Sequence, residues 1–353
     1  MQIELRQLRK TYGPAVAVAE ISATIAQGKM LALLGPSGCG KTTTLRMVAG
    51  FIAPSSGSIH VGARDITTLP AHKRDTGLVF QSYALFPHLS AAENIAFGLR
   101  RRGVARAERE QRVTAMLDKL KLSGLAERLP RQLSGGQQQR VAVARALVIN
   151  PSILLLDEPF SNLDAKLREG TGLELSRLQR ELGLTSIFVT HDQSEAMSIA
   201  DTIAVMKDGV LQQIGSASEI YEQPANRFVA EFIGRANFLP GRILTGDGRS
   251  HEVALDAGIT VPAIASAHPG GSSRVEVLIR PEAIALTETG RSGSLMATVE
   301  AISYQGATVY VHARLADGTL VTCATTPESS RIAAQGDAIG LQPARTRLVS
   351  FPI

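Results

Sequence analysis

The chain has 353 residues, 44% of them hydrophobic and 20% charged, with a formal net charge of +5. That length exceeds an average single domain and predicts two, while the composition is that of a globular protein with ample material for a core. Cys39 and Cys323 are the two cysteines, too few for a disulfide framework or a cysteine metal cluster, and the seven histidines show no ligand spacing. No run approaches the roughly 18–20 apolar residues that cross a bilayer, and the opening Met-Gln-Ile-Glu-Leu-Arg lacks the layout of a signal peptide. The expectation is a protein that stays in the cytoplasm and reaches a membrane only through partners. Its basic residues are dispersed, apart from Arg100-Arg101-Arg102 and the stretch to Arg112. These suit a solvated helix entry or nearby anionic headgroups better than nucleic acid.

Residues 1–28 alternate apolar and polar positions around Gly13-Pro14, predicting antiparallel strands. Met30–Leu34 reads as a buried strand running into Gly35, and Thr42–Gly50 as a short helix. Strand-like patterning returns around residues 60–80 and ends at Val79-Phe80. From Ser90 to Asn150 the pattern is helical, with Ala105–Leu122 at three-to-four spacing and Gly135–Leu147 opening on a Gly-Gly pair. Ile153–Leu156 and Ser186–Thr190 read as strands flanking a helical Leu163–Leu182. Gly170 and Gly172 inside that helix each cost about 1 kcal/mol against Ala, which predicts a frayed or irregular start. Lys207-Asp208-Gly209 is a hairpin turn between Ile203–Met206 and Val210–Ile214. Composition shifts near Gly234. Beyond it, short β-rich runs such as Val275–Ile279 and Thr308–Leu315 alternate with Gly and Pro, Ala316-Asp317-Gly318-Thr319 reads as a turn, and no helix is expected. The domains are placed at residues 1–235 and 236–353, with a helical subdomain at about 88–150.

Gly35-Pro36-Ser37-Gly38-Cys39-Gly40-Lys41-Thr42 fits Gly-x4-Gly-Lys-[Ser/Thr] in its confirming context, strand before and helix after. Glycines let backbone N–H groups wrap phosphates, and the helix start, continuing through Thr43, adds a positive dipole end. In such a loop Lys41 reaches the β- and γ-phosphates, the Thr42 hydroxyl binds Mg2+, and Cys39 is a small filler. Leu154-Leu155-Leu156-Asp157-Glu158 resembles a Walker B strand, with Asp157 in the Mg2+ shell and Glu158 polarising the attacking water as general base. Ser134, Gly135 and Gly136 set a hydroxyl and free N–H groups at the start of another helix, a second anion site.

Leu133-Ser134-Gly135-Gly136-Gln137-Gln138-Gln139-Arg140, between the phosphate loop and the acidic strand end, resembles the signature of ATP-binding-cassette (ABC) proteins. The resemblance covers residues 1 to about 235 and implies an α/β P-loop NTPase cassette with a RecA-like core, an antiparallel β subdomain and a helical signature subdomain. It implies that Gln81 is the Q-loop residue sensing Mg2+ and the attacking water, and that His191 in Val189-Thr190-His191-Asp192 is the switch histidine at the γ-phosphate. Asp164, ending Ser161-Asn162-Leu163-Asp164, would link the two sites of a dimer, and Tyr12 lies where the family stacks an aromatic on adenine. With ATP and Mg2+ bound, Ser134, Gly135, Gly136 and Gln137 of one chain would close over the nucleotide held by Lys41 of another, in a head-to-tail homodimer.

Within that family, a chromosome or repair ATPase needs a long heptad insertion. The segment from Thr43 to Leu133 holds about ninety residues with no sustained heptad. A translation-factor type carries two cassettes and an exporter usually fuses its membrane spans, which leaves the peripheral ATPase of an importer. The β-rich tail resembles the small all-β, OB-like TOBE domain, with Ile279-Arg280-Pro281-Glu282 as its most recognisable string. The expected partners are integral membrane permease subunits, with Tyr83–His88 lining the cleft for one of their helices, and an extracytoplasmic solute-binding protein. The expected place is the cytoplasmic face of the inner membrane. A polyamine or a phosphonate such as 2-aminoethylphosphonate is the first expectation for the solute, with ferric iron or sugar as alternatives. A soluble ABC ATPase acting on nucleic acid is the distant rival, and no nucleic-acid partner is expected.

Overall fold

Sequence runs that are apolar on both faces build strands covered on both sides, and Met30–Leu34, Ile153–Asp157 and Thr185–Thr190 are buried at every position. The computed structural model describes residues 1–246, 250–266, 273–344 and 348–353. It divides the chain into two units, Met1–Ala217 and Ser218–Ile353.

The first unit opens with strands β1 (Ile3–Tyr12), β2 (Ala15–Ile25) and β3 (Met30–Leu34), then helix α1 (Lys41–Ala49). Strands β4 (Ser56–Val61), β5 (Arg64–Asp65) and β6 (Thr76–Val79) precede helices α2 (Ala91–Arg101), α3 (Arg106–Lys119) and α4 (Gly135–Leu147). The unit then runs through β7 (Ile153–Asp157), α5 (Ala165–Glu181), β8 (Thr185–Thr190), α6 (Gln193–Ile199), β9 (Thr202–Lys207) and β10 (Val210–Gly215). All ten strands join one sheet, in the order β5-β4-β1-β2-β10-β9-β3-β8-β7-β6. The β1–β2 and β1–β4 pairs are antiparallel, as the alternation around Gly13-Pro14 predicts. From β9 to β6 every neighbouring pair is parallel, so these strands end at the same edge.

α5 runs unbroken through Gly170 and Gly172, contrary to the irregular start expected from propensity. Asp164 caps it by accepting from Leu167 N–H, and Leu175 and Leu178 are buried beneath it. Tertiary burial outweighs the intrinsic glycine penalty here.

Helix α7 (Ala217–Glu222) straddles the division and α8 (Arg227–Phe232) follows. Next come β11 (Asn237–Gly246), β12 (Ser250–Leu255), β13 (Thr260–Ala265), β14 (Arg274–Ile279) and β15 (Ile284–Thr287). The last strands are β16 (Leu295–Gln305), β17 (Thr308–Leu315), β18 (Leu320–Thr325), β19 (Ala338–Pro343) and β20 (Val349–Pro352). β11-β12-β13-β20-β14 close into a barrel and β15-β19-β16-β17-β18 form a second sheet. Valines and leucines of both, including Leu239, Val277, Val299 and Val321, share one core. Asn237 ties the two sheets, its amide donating to Ile279 O (3.0 Å) and Thr322 O (2.9 Å) and accepting from Thr322 N–H (2.8 Å). Arg280, in the recognisable string, donates to the carbonyls of Ala230, Arg235 and Tyr221, holding α8 and the end of α7 within this unit.

The helix behind the phosphate loop is fastened by one buried cation. Arg74 is 5% exposed and donates to Met47 O, Val48 O, Leu69 O and Thr67 O. It thereby closes carbonyls at the end of α1 that the helix cannot satisfy itself, and burial lowers the guanidinium pKa. Arg74→Met is expected to lower stability by about 2–4 kcal/mol, because it leaves several buried carbonyls without donors. Urea unfolding of the full chain checks this.

Candidate active site

The loop between β3 and α1 is shaped by close approach. A Cβ on Gly35 would collide with Met206 O and with Cys39 Sγ, and one on Gly40, at φ +99, would stand 2.6 Å from Ala17 O. Gly40 supplies no side-chain cap to α1, whose first turn holds no acid. The first N–H groups of that helix are therefore free to meet an anion. Pro36, Ser37 and Gly38 are exposed, Cys39 is buried, and Thr42 and Thr43 are half-buried. Lys41 is 5% exposed. Its Nζ donates to Gly35 O (2.7 Å) and Pro36 O (2.9 Å), which holds the cation inside the loop.

One strand away from β3, across β8, β7 brings up the two carboxylates. Asp157 is buried and accepts from the Thr42 hydroxyl at 3.1 Å. Burial pushes its carboxyl above the usual range, partly opposed by that hydrogen bond. Glu158 takes a left-handed backbone at φ +45, with its N–H on Val189 O and its carbonyl receiving the Ser161 hydroxyl. This turn sends its side chain to a meeting point. Gln81 Nε2 donates to Glu158 Oε2 at 3.0 Å, and His191 Nδ1 lies 3.2 Å from the same oxygen. Asn162 Nδ2 holds the Gln81 carbonyl at 2.8 Å.

Sequence reasoning named Gln81, Glu158 and His191 singly, and the fold brings them to one carboxylate oxygen beside the Thr42–Asp157 pair. The remaining candidates make no hydrogen bond to that oxygen among the described residues, though a Cβ on Gly135 would stand 3.7 Å from the carbonyl of Asn162. Tyr12 is half exposed at the end of β1, with Lys10 Nζ 4.9 Å from its ring centroid. Asp164 is engaged as the cap of α5. Ser134 caps α4 in a capping box: Gln137 Oε1 accepts from Ser134 N–H (2.9 Å) and Ser134 Oγ from Gln137 N–H (3.4 Å). Ser134 and Gly135 are exposed.

Sequence reasoning missed the residues that hold the segment on either side of His191. Arg168 donates to Leu163 O (3.0 Å) and Asp192 Oδ2 (3.2 Å), and its Nε lies 3.5 Å from Glu195 Oε1. The Thr190 hydroxyl donates to Glu195 and accepts from Asp192 N–H. Burial raises the Glu195 pKa. The available signal was Asp192 with Glu195 three residues on, a helix-start pattern. Nothing local marks Arg168 as its partner.

A glycine loop at a strand–helix junction, facing consecutive carboxylates on a parallel strand, defines a P-loop nucleoside-triphosphate site. Residues 18–161 match the family model described as ABC transporter, and residues 277–351 match that described as TOBE domain. The chain is 46% identical to the spermidine/putrescine import ATP-binding protein PotA of Ruegeria pomeroyi, covering 99% of this chain and 94% of that protein. It is 47% identical to the Fe(3+) ions import ATP-binding protein FbpC of Agrobacterium fabrum, covering 82% of each. A solved dimer of the ATP-binding cassette MJ0796, in a post-hydrolysis state with ADP and Pi, matches with a TM-score of 0.55. It is 34% identical, over 61% of this chain and 98% of that one. The chain belongs to the ABC transporter family and carries a C-terminal TOBE domain. Among the described residues no helix is long and apolar enough to cross a membrane.

Because burial raises the Asp157 pKa, ionising this carboxyl opposes folding. That penalty is absent below the ordinary carboxylate range and grows as pH rises through the raised value. Asp157→Asn keeps an acceptor for Thr42 and removes the charge. It is expected to be more stable than wild type by about 0.5–2 kcal/mol at neutral pH, a gain lost near the ordinary Asp pKa of about 3.9. Urea midpoints at neutral and acid pH measure the difference.

Proposed function

We propose that this chain is the ATP-hydrolysing subunit of an importer, with Glu158 as general base. The observation that carries the reading is the convergence of Gln81 and His191 on Glu158 Oε2, beside the Thr42–Asp157 pair. Water attacking the γ-phosphorus of ATP gives its proton to Glu158, and the bond to the β,γ-bridging oxygen breaks, leaving ADP and inorganic phosphate. Gln81 and His191 orient the carboxylate and the water, while Lys41 and the first N–H groups of α1 hold the phosphates. The Thr42 hydroxyl and the Asp157 carboxylate are hard oxygen donors that fit Mg2+, which when bound neutralises phosphate charge.

Ser134 and Gly135, exposed at the head of α4, and the half-buried Gly136 are proposed to meet the γ-phosphate held by Lys41 of a second copy, with Gln137 behind them and Asp164 near the joint. Tyr12 is proposed to stack on the adenine, and its exposed ring supports this. The dimeric state of the MJ0796 cassette supports two copies. A γ-phosphate gripped from both sides favours the closed dimer, and hydrolysis removes that preference. Permease subunits at the Tyr83–His88 segment, a solute-binding protein outside, and a location on the cytoplasmic face complete the proposal. Polyamine is the first solute, as in the name of PotA, and ferric iron the second, since FbpC matches at nearly the same identity over a shorter span.

Glu158→Gln is expected to bind ATP as wild type does, to lose turnover by about a hundredfold or more, and to accumulate as an ATP-bound dimer in size-exclusion chromatography. Normal hydrolysis by that variant would falsify the general-base assignment. Uptake of labelled spermidine against ferric iron in cells lacking the gene separates the two solutes.

A further inference from the structure

Tyr83 and Ala84, two residues beyond Gln81, are consecutive non-glycine residues with left-handed backbones, at φ +61 and +46. The Cβ atom disfavours this conformation, so it persists only where the surroundings hold it. The holder is Arg145 on α4. Its Nη2 donates to Tyr83 O at 2.8 Å and its Nη1 to Ala84 O at 2.7 Å. The guanidinium also lies 5.7 Å from the Phe86 ring centroid, and Phe86 packs on Phe97 of α2 at 4.4 Å.

The segment that carries Gln81 is thus pinned at three places. Asn162 takes the Gln81 carbonyl. Arg145 takes the two left-handed carbonyls. Asn94, fully buried on α2, pairs with both the N–H and the carbonyl of Phe86. Of the three, Arg145 alone sits on the helix that Ser134 heads, about 16 Å along its axis from that cap. A planar fork suits two adjacent carbonyls, and a point charge on a flexible stem does not.

We infer that Arg145 is a positioning residue for ATP hydrolysis: by holding the left-handed turn at Tyr83-Ala84 it sets Gln81 against Glu158, and it ties that setting to the helix headed by Ser134 and Gly135. The inference rests on the ATPase reading above. Arg145 bonds the carbonyls of Tyr83 and Ala84, and it acts through the backbone of the turn. A residue that merely fills space on α4 would lower stability when removed, and no change elsewhere in the turn would compensate. A residue that holds a strained turn can be partly replaced by removing the strain, because glycine adopts positive φ freely.

The test is steady-state ATP hydrolysis by the purified full-length chain, with thermal unfolding alongside. Arg145→Ala is expected to lower kcat about tenfold while KM for ATP stays within about twofold. Arg145→Lys is expected to fall between it and wild type. Adding Ala84→Gly to Arg145→Ala should bring kcat to within about threefold of the Ala84→Gly variant alone, a coupling that independent sites do not show. If Arg145→Ala does not fold, Arg145→Lys with and without Ala84→Gly completes the same cycle. An unchanged kcat in the arginine variant overturns the inference, and so does a loss that Ala84→Gly leaves undiminished. A wild-type chain that hydrolyses no ATP overturns the ATPase reading itself, and the inference with it.

Discussion

The parallel register of β6, β7, β8 and β3 is the constraint from which the site follows. Val79 lies beside Leu156, Asp157 beside Val189, and Leu34 beside Thr190. The residues just past these strand ends, Gln81, Glu158, His191 and Gly35, therefore emerge along one edge, where open parallel sheets place their ligands. Burial of whole strands fixes that register. A slip by one residue would turn every side chain of a strand to the opposite face. The geometry of the candidate site is inherited from packing that has no chemistry of its own.

Charge inside this framework is handled in two ways. Asp157 is buried with one hydroxyl as its partner, and that burial raises its pKa. On the proposed reading, such a group is held for a ligand and not for stability. Three arginines follow the other pattern, engaging carbonyls. Arg74 closes the end of α1, Arg145 holds the turn after Gln81, and Arg280 gathers carbonyls at α7 and α8. Burial lowers the pKa of all three. Guanidinium remains charged under such pressure and offers its donors in a fixed plane, so one side chain can fasten several carbonyls at once.

What the sequence makes legible here is what depends on neighbours in the chain. The phosphate loop is legible because its glycines, Lys41 and Thr42 are contiguous, and β7 because an apolar run leads directly to Asp157-Glu158. The barrel-and-sheet tail shows through its turns, as at Ala316–Thr319, where Gly318 N–H closes on Leu315 O. What stays hidden depends on pairs distant in the chain. Arg168 meets Asp192 across 24 positions of chain, and Arg145 meets Tyr83 across 62. Gly170 and Gly172 mislead in the opposite direction, since propensity is local and the burial of Leu175 and Leu178 is not.

The head of α4 joins these two kinds of information. Ser134 and Gln137 stand in the spacing of a capping box, and the fold uses them so. The box satisfies the N–H groups of Ser134 and Gln137. It leaves those of Gly135 and Gly136 between them, on residues with no side chain to obstruct an approaching anion. The Ser134 oxygen accepts in the box but keeps its own O–H to donate. Capping and phosphate binding therefore do not compete for the same atoms. On the proposed reading, the cap stiffens the end of a helix whose other end, at Arg145, grips the turn after Gln81. Force applied at Gly135-Gly136 by a partner's γ-phosphate would then reach the catalytic glutamine through a rod whose first turn is already locked.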